Sequence, residues 1–166
     1  MTTYAFVDTY AHTVTYVTDK LLLCVKEIIR ESGLDPAKMT RDWVVLERGV
    51  SAWIRSKHLE KIVLELFDPR TGDPVGRWDL GIVYGYGGDG SLWVDTDAIR
   101  YNIRKAGLIP SSCDYEIIVT TKPNRPAVVG WYACQLRSMD GFTRYSIGTT
   151  IGGSGLGADV AYWGRK

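Results

Sequence analysis

Apolar residues recur at helical spacing over residues 10–32. Val14, Val17, Leu21, Cys24, Val25, Ile28 and Ile29 fall on one side, and Thr18, Lys20, Lys26, Glu27 and Arg30 largely on the other. This pattern predicts a long amphipathic helix, stopped by Gly33, with Asp35-Pro36 opening the next element. From Thr40 onward Trp43, Leu46, Val50, Trp53 and Ile54 again repeat in steps of three and four, predicting a second helix that ends near Ser56. Gly49 inside it offers a point of close helix packing. The period then shortens to two. Ile62, Leu64 and Leu66 alternate with Val63, Glu65 and Phe67, turn chemistry follows at residues 68–73, and Trp78, Leu80, Ile82 and Tyr84 alternate on the way back, predicting a long hairpin.

After a glycine-rich loop at residues 85–90, Asp95 or Thr96 is placed to cap a third helix with Ile99, Ile103 and Ala106 on its buried face. Residues 115–121 form the next expected strand, cut off by Pro123 and Pro126, and a further strand is expected over residues 131–136. The last stretch, residues 131–166, is strand-forming, punctuated by glycines at 148, 152, 153, 155 and 157, and attached to no completed core, which marks it as a candidate moving part.

Composition narrows the field mainly by exclusion. A chain of 166 residues with 45% hydrophobic and 23% charged residues fits one globular domain. The formal net charge of +1 supplies no field to gather phosphates, so direct nucleic-acid binding is not expected despite six tryptophans and ten tyrosines interleaved near the end with Arg137, Arg144 and Arg165. No run approaches a membrane span and the first residues carry no leader pattern, so a cytoplasmic protein is expected. Cys24, Cys113 and Cys134 read as buried free thiols.

Catalytic chemistry has little to work with. The two histidines, His12 and His58, lack any nucleophile signature, and the loop at 85–90 lacks the Lys-Ser/Thr pair that a phosphate-binding loop requires. No catalytic residue, metal or cofactor is therefore expected. The alternative is a metal-dependent nucleotide-binding domain or enzyme using Asp89, Asp95 and Asp97; capping of a helix N-terminus explains the latter two better, because no third carboxylate sits on a neighbouring strand. What remains is recognition through the backbone. The strand Tyr115, Glu116, Ile117, Ile118, Val119, Thr120, Thr121 is apolar on both faces and ended by prolines, as an edge that another chain could extend would be; the protein's own tail is the competing occupant.

Several segments, taken in order, resemble one family. They are Thr13-Val14-Thr15-Tyr16-Val17-Thr18-Asp19, Ser32-Gly33-Leu34-Asp35-Pro36, Gly76-Arg77-Trp78-Asp79-Leu80-Gly81-Ile82-Val83-Tyr84-Gly85, and Asp95-Thr96-Asp97. They continue with Lys105-Ala106-Gly107-Leu108-Ile109-Pro110-Ser111, Thr121-Lys122-Pro123-Asn124-Arg125-Pro126, Ser154-Gly155-Leu156 and Tyr162-Trp163. The chain resembles the bacterial HORMA domain proteins associated with cGAS/DncV-like nucleotidyltransferases in antiphage (CBASS) operons. The resemblance implies an α+β fold: three main helices on a hairpin-based, mainly antiparallel sheet, a core to about residue 130, and a C-terminal safety belt over about 131–166.

It further implies a peptide-sensing adaptor rather than an enzyme. A short closure-motif peptide would pair with the strand at 115–121, and the belt, including Trp131, Phe142, Tyr145, Ile147, Val160, Tyr162 and Trp163, would wrap over it and lie on the strand near 78–84. The closed state would bind and activate the nucleotidyltransferase. A pachytene-checkpoint-type AAA+ ATPase would engage the N-terminus at Met1, Thr2, Thr3 and Tyr4 and reopen the domain, and a second HORMA protein belongs among the implied partners.

Overall fold

The computed structural model describes residues 9–165, so the expectation for Met1, Thr2, Thr3 and Tyr4 lies outside the described residues. Helix α1 (Thr9–Glu31) buries Val14, Val17, Leu21, Val25, Ile28 and Ile29, the stripe read from the sequence. It ends where Gly33, at φ 94°, lets its own N–H reach the Arg30 carbonyl at 3.1 Å and the Leu34 N–H reach the Ile29 carbonyl at 3.0 Å, a Schellman cap. The expected second helix is two helices, α2 (Ala37–Arg41) and α3 (Trp43–Arg55). Asp42 closes one and opens the other: its N–H donates to the Met39 carbonyl at 3.1 Å and its carbonyl accepts from Leu46 N–H at 3.0 Å. The break turns α2 so that Met39 is buried and its N–H donates to the Tyr115 hydroxyl at 3.2 Å.

Strands β1 (Leu59–Phe67) and β2 (Pro74–Gly87) form the predicted antiparallel hairpin, with Leu64 opposite Trp78. A short strand β3 (Trp93–Val94), unforeseen between the glycine-rich loop and the third expected helix, precedes α4 (Thr96–Ala106), and β4 (Asp114–Thr121) and β5 (Phe142–Arg165) follow. Among the described residues the strand pairings are all antiparallel, and the sheet order is β3-β5-β2-β1-β4.

Strand alternation divides the sheet into two faces. Ile62, Leu64, Leu66, Trp78 and Leu80 join the helical residues in the hydrophobic core. The alternate residues Glu65 and Phe67 point to the helix-free face and are nevertheless buried.

The long strand β5 is not straight. At roughly 3.3 Å per residue its ends would lie more than about 70 Å apart. Instead Arg165 lies over the Phe142 ring at 4.6 Å, Tyr145 stacks on Tyr162 at 5.1 Å, and the Thr149 hydroxyl donates to the Asp159 carboxylate at 2.6 Å. The strand therefore doubles back through its glycine run, with Gly155 at φ 73°. Its returning half pairs with β2, Trp78 opposite Tyr162 and Leu80 opposite Val160, while Gly152 pairs with Trp93. Gly152 has no room for a side chain because the Trp93 indole occupies that space.

The strand expected at residues 131–136 is absent: residues 122–141 contain neither helix nor strand. Trp131 spends its polar hydrogen and its ring on α3 rather than on the sheet. Its indole N–H donates to the Val45 carbonyl at 3.0 Å, and the ring meets Trp53 edge-on at 5.0 Å.

Candidate functional site

Residues 122–141 form a strap that leaves the end of β4, follows the helical side, rounds the edge of the sheet and crosses its other face. On the helical side Trp53 donates its indole N–H to the Pro126 carbonyl at 2.7 Å, and the Trp131 ring fills the space above Gly49 where any Cβ would stand. On the helix-free face Arg137 is the pin. Its guanidinium meets Glu65 at 2.8 Å and Glu116 at 3.3 Å, its backbone N–H donates to Glu65 at 2.7 Å, its Nε donates to the Gly72 carbonyl at 3.0 Å, and it lies 3.7 Å over the Phe67 ring. Glu65 is 2% exposed, and a carboxylate so buried requires such charged and hydrogen-bonding partners.

Between the strap and β4 the chain leaves a cleft of about 570 Å³, bounded by Met39, Leu46, Ile117, Val119, Trp131 and Tyr132, among others. A space of this size lies within the range of ligand sites. β4 pairs with β1 on one side only. Among the described residues, no backbone hydrogen bond joins the strap to the outer edge of β4. An unpaired edge normally attracts another strand. Here it is roofed by the chain's own strap but not paired with it.

The direction of the free groups follows from Tyr115. Its N–H donates to the Asp114 carboxylate at 2.8 Å and its carbonyl accepts from the Lys38 ammonium at 2.6 Å, so its main chain faces away from β1. Alternation along the strand then turns the N–H and C=O of Ile117 and Val119 outward as well.

The described residues singled out from the sequence are distributed over β4, the strap, which carries Trp131, and β5. Tyr115 is buried, its hydroxyl donating to the Asp35 carbonyl at 2.9 Å, and burial raises its pKa. Glu116 lies on the other face with Arg137, Ile117 and Val119 pack against the core beside the cleft, Ile118 is buried, and Thr120 and Thr121 are half-buried. Phe142, Tyr145 and Ile147 lie in the outgoing half of β5; Val160, Tyr162 and Trp163 lie in the returning half. Trp163 donates its indole N–H to Asp79 at 3.0 Å, and Arg77 pairs with the same carboxylate at 2.6 Å.

The three aspartates do not assemble. Asp89 accepts from Ser91, Asp95 caps α4 by accepting from Ala98 N–H at 3.0 Å, and Asp97 lies in the first turn of that helix. Among the described residues no three His, Cys, Asp or Glu side chains gather into a metal-binding group. The cysteine expectation holds for Cys24 alone. That thiol is buried and its pKa is pushed up to about 12, chiefly by burial, whereas Cys113 is half-buried and Cys134 lies exposed on the strap.

Sequence reasoning missed Lys38, Asp114 and the anchoring role of Trp53 and residues 123–130. Glu65 was the available signal: a carboxylate in an apolar strand needs a partner, although nothing local identifies Arg137.

The family model for Bacterial HORMA domain 2 matches residues 1–166. No functionally curated protein matches the sequence. Among solved structures, C. elegans HTP-2 bound to the HIM-3 closure motif is similar at 11% identity, covering 92% of this chain and 87% of that one, with a TM-score of 0.66. A chain of the mitotic checkpoint complex matches at 13% identity over 95% and 97%, with a TM-score of 0.65. A chain of the E. coli MS115-1 CdnC:HORMA-deltaN complex matches at 12% identity over 100% and 94%, with a TM-score of 0.59.

Proposed function

The chain belongs to the bacterial HORMA domain 2 family, and we propose that it is a non-enzymatic adaptor that captures a short extended peptide between β4 and its strap. The observation that carries this reading is the roofed but unpaired edge of β4. A peptide entering the cleft would complete the outward main-chain groups of Ile117 and Val119 and place alternate side chains against Met39, Leu46 and Trp131. Because the strap is anchored on α3 at one end and by Arg137 at the other, a seated peptide would be enclosed, and its release would require the strap to detach.

The likeness of fold to HTP-2 bound to a closure motif supports peptide capture, and the likeness to a chain of the CdnC complex supports a nucleotidyltransferase as partner. In the reading we favour, the peptide-bound state binds and activates a cGAS/DncV-like nucleotidyltransferase in antiphage defence. An AAA+ ATPase of the pachytene-checkpoint type acts on residues 1–9 to reopen the domain.

Val119→Pro tests the capture step. Proline is tolerated in an edge strand where its missing N–H faces outward, so the ladder to β1 survives while an added strand loses a donor. Peptides selected on the wild-type chain from a displayed library should bind the variant at least about tenfold more weakly, and the variant should still melt cooperatively. Equal binding by the two proteins would remove β4 as the capture edge. Second-messenger synthesis by the partner nucleotidyltransferase, assayed with and without the selected peptide, tests the activation step.

A further inference from the structure

The open edge of β4 is shorter than the strand. Of its outward-facing residues, Tyr115 has both main-chain groups already occupied: the Asp114 carboxylate holds its N–H at 2.8 Å and the Lys38 ammonium holds its carbonyl at 2.6 Å. These two side chains also meet each other at 3.3 Å, and Lys38 lies 5.1 Å over the Tyr115 ring. They stand where the backbone of an added strand would have to stand.

The pair is held in place independently of any ligand. Tyr115 is anchored at its far end, its hydroxyl donating to the Asp35 carbonyl at 2.9 Å and accepting from Met39 N–H at 3.2 Å, so α2 and the start of β4 move together. Beyond the pair a second hollow of about 470 Å³ opens between Leu34, Arg41 and Cys113, and Lys38 and Tyr115 line both it and the main cleft. The space for a longer peptide exists. The hydrogen-bonding edge does not continue into it.

We infer that Lys38 and Asp114 form a register stop: they cap Tyr115 so that a captured peptide pairs with β4 from Ile117 onward and not with Tyr115. This rests on the reading of β4 as the capture edge. Both are positioning residues, for they act by occupying the main chain of Tyr115. The consequence concerns specificity. With pairing stopped at Ile117, a peptide cannot slide by a two-residue step toward Tyr115, a slip that strand periodicity otherwise allows without turning any side chain to the wrong face. A bound segment therefore cannot extend its pairing past Ile117 toward α2, which limits how far it can shift against Met39, Leu46 and Trp131.

The experiment uses the full chain and peptides selected from a phage-displayed library of random dodecapeptides. Amide exchange is followed residue by residue, with and without a selected peptide. In the wild type the Ile117 and Val119 amides should slow by about tenfold or more on binding, as one hydrogen bond of ordinary net strength requires, while the Tyr115 amide is unchanged. In Lys38→Met/Asp114→Ala the Tyr115 amide should become protected on binding, and selection on that variant should yield peptides with a longer required segment. Lys38→Arg, which keeps a donor at the Tyr115 carbonyl, should behave as the wild type. Protection of Tyr115 in the wild type, or an unchanged footprint in the folded double variant, overturns the stop while leaving edge capture standing. If no peptide can be selected on the wild type, edge capture fails and the stop with it.

Discussion

At Gly49 helix propensity and packing pull in opposite directions. Alanine in a helix interior is favoured over glycine by about 1 kcal/mol. Yet a Cβ at Gly49 would stand inside the Trp131 ring, which is fixed by its bond to the Val45 carbonyl and by the edge of Trp53. Overpacking of this kind costs about 1–3 kcal/mol, so packing wins. Gly49→Ala should therefore lower the midpoint of denaturant unfolding or, where the strap yields first, speed proteolysis within residues 122–141. A more stable variant with an unchanged strap would contradict the packing described. The sequence marked this glycine as a point of close helix packing, but what packs on it is the strap. That partner was not legible, because Trp131 lies 82 positions away and its own surroundings suggested a strand.

Among the elements, β5 is held to β2 by more than its ladder. Arg77 and Asp79 are both buried and paired at 2.6 Å, Lys61 approaches the same carboxylate at 3.8 Å, and Trp163 adds its indole N–H at 3.0 Å while lying 5.4 Å from the Arg77 guanidinium. Removing one partner of a buried ion pair leaves an uncompensated charge and costs about 3–5 kcal/mol. Losing a single hydrogen bond to a charged group costs about 1.5–3 kcal/mol. Asp79→Ala should thus destabilise the protein clearly more than Trp163→Phe, as measured by chemical denaturation. Similar losses from both would mean that Arg77 finds other partners or solvent. The hairpin and the strand character of β5 were written in alternation and glycine placement, whereas the docking of β5 beside β2 was fixed by core residues such as Val160, Tyr162, Trp78 and Leu80 meeting across the register.

At the scale of the whole molecule, three tyrosine hydroxyls among the described residues tie separate elements together. Tyr10 of α1 reaches the Ile54 carbonyl at 3.5 Å, Tyr84 of β2 the Leu59 carbonyl at 2.7 Å, and Tyr115 of β4 the Asp35 carbonyl at 2.9 Å. Burial is the first cause that raises the pKa of each, most strongly at Tyr84, where Tyr10 adds to it. For these phenols the sign is definite. Their contribution is complete below the unfolded-state value of about 10 and is lost as pH rises through the folded values. The melting temperature should fall steeply above about pH 10, with tyrosinate absorbance developing alongside unfolding. Tyr84→Phe should soften that fall while lowering neutral-pH stability by about 1 kcal/mol. An alkaline fall unaltered by the substitution would assign it to other groups.

The sequence alone determined the elements that repeat with their own period: the stripe of α1, the alternation of β1 and β2, the start of α4 at Asp95 or Thr96, and the glycine-punctuated strand character of β5. Each depends on neighbours a few positions apart, and short-range spacing is what a sequence displays directly. It also determined the order of segments that marks the family. Tertiary structure alone decided that α2 and α3 separate at Asp42, that residues 122–141 run as a strap rather than a strand, and that Arg137 finds Glu65. It also decided that Lys38 and Asp114 close one end of the β4 edge. These outcomes join residues tens of positions apart, where buried polar groups must find partners and bulky rings must find space, and only the folded chain brings those partners together.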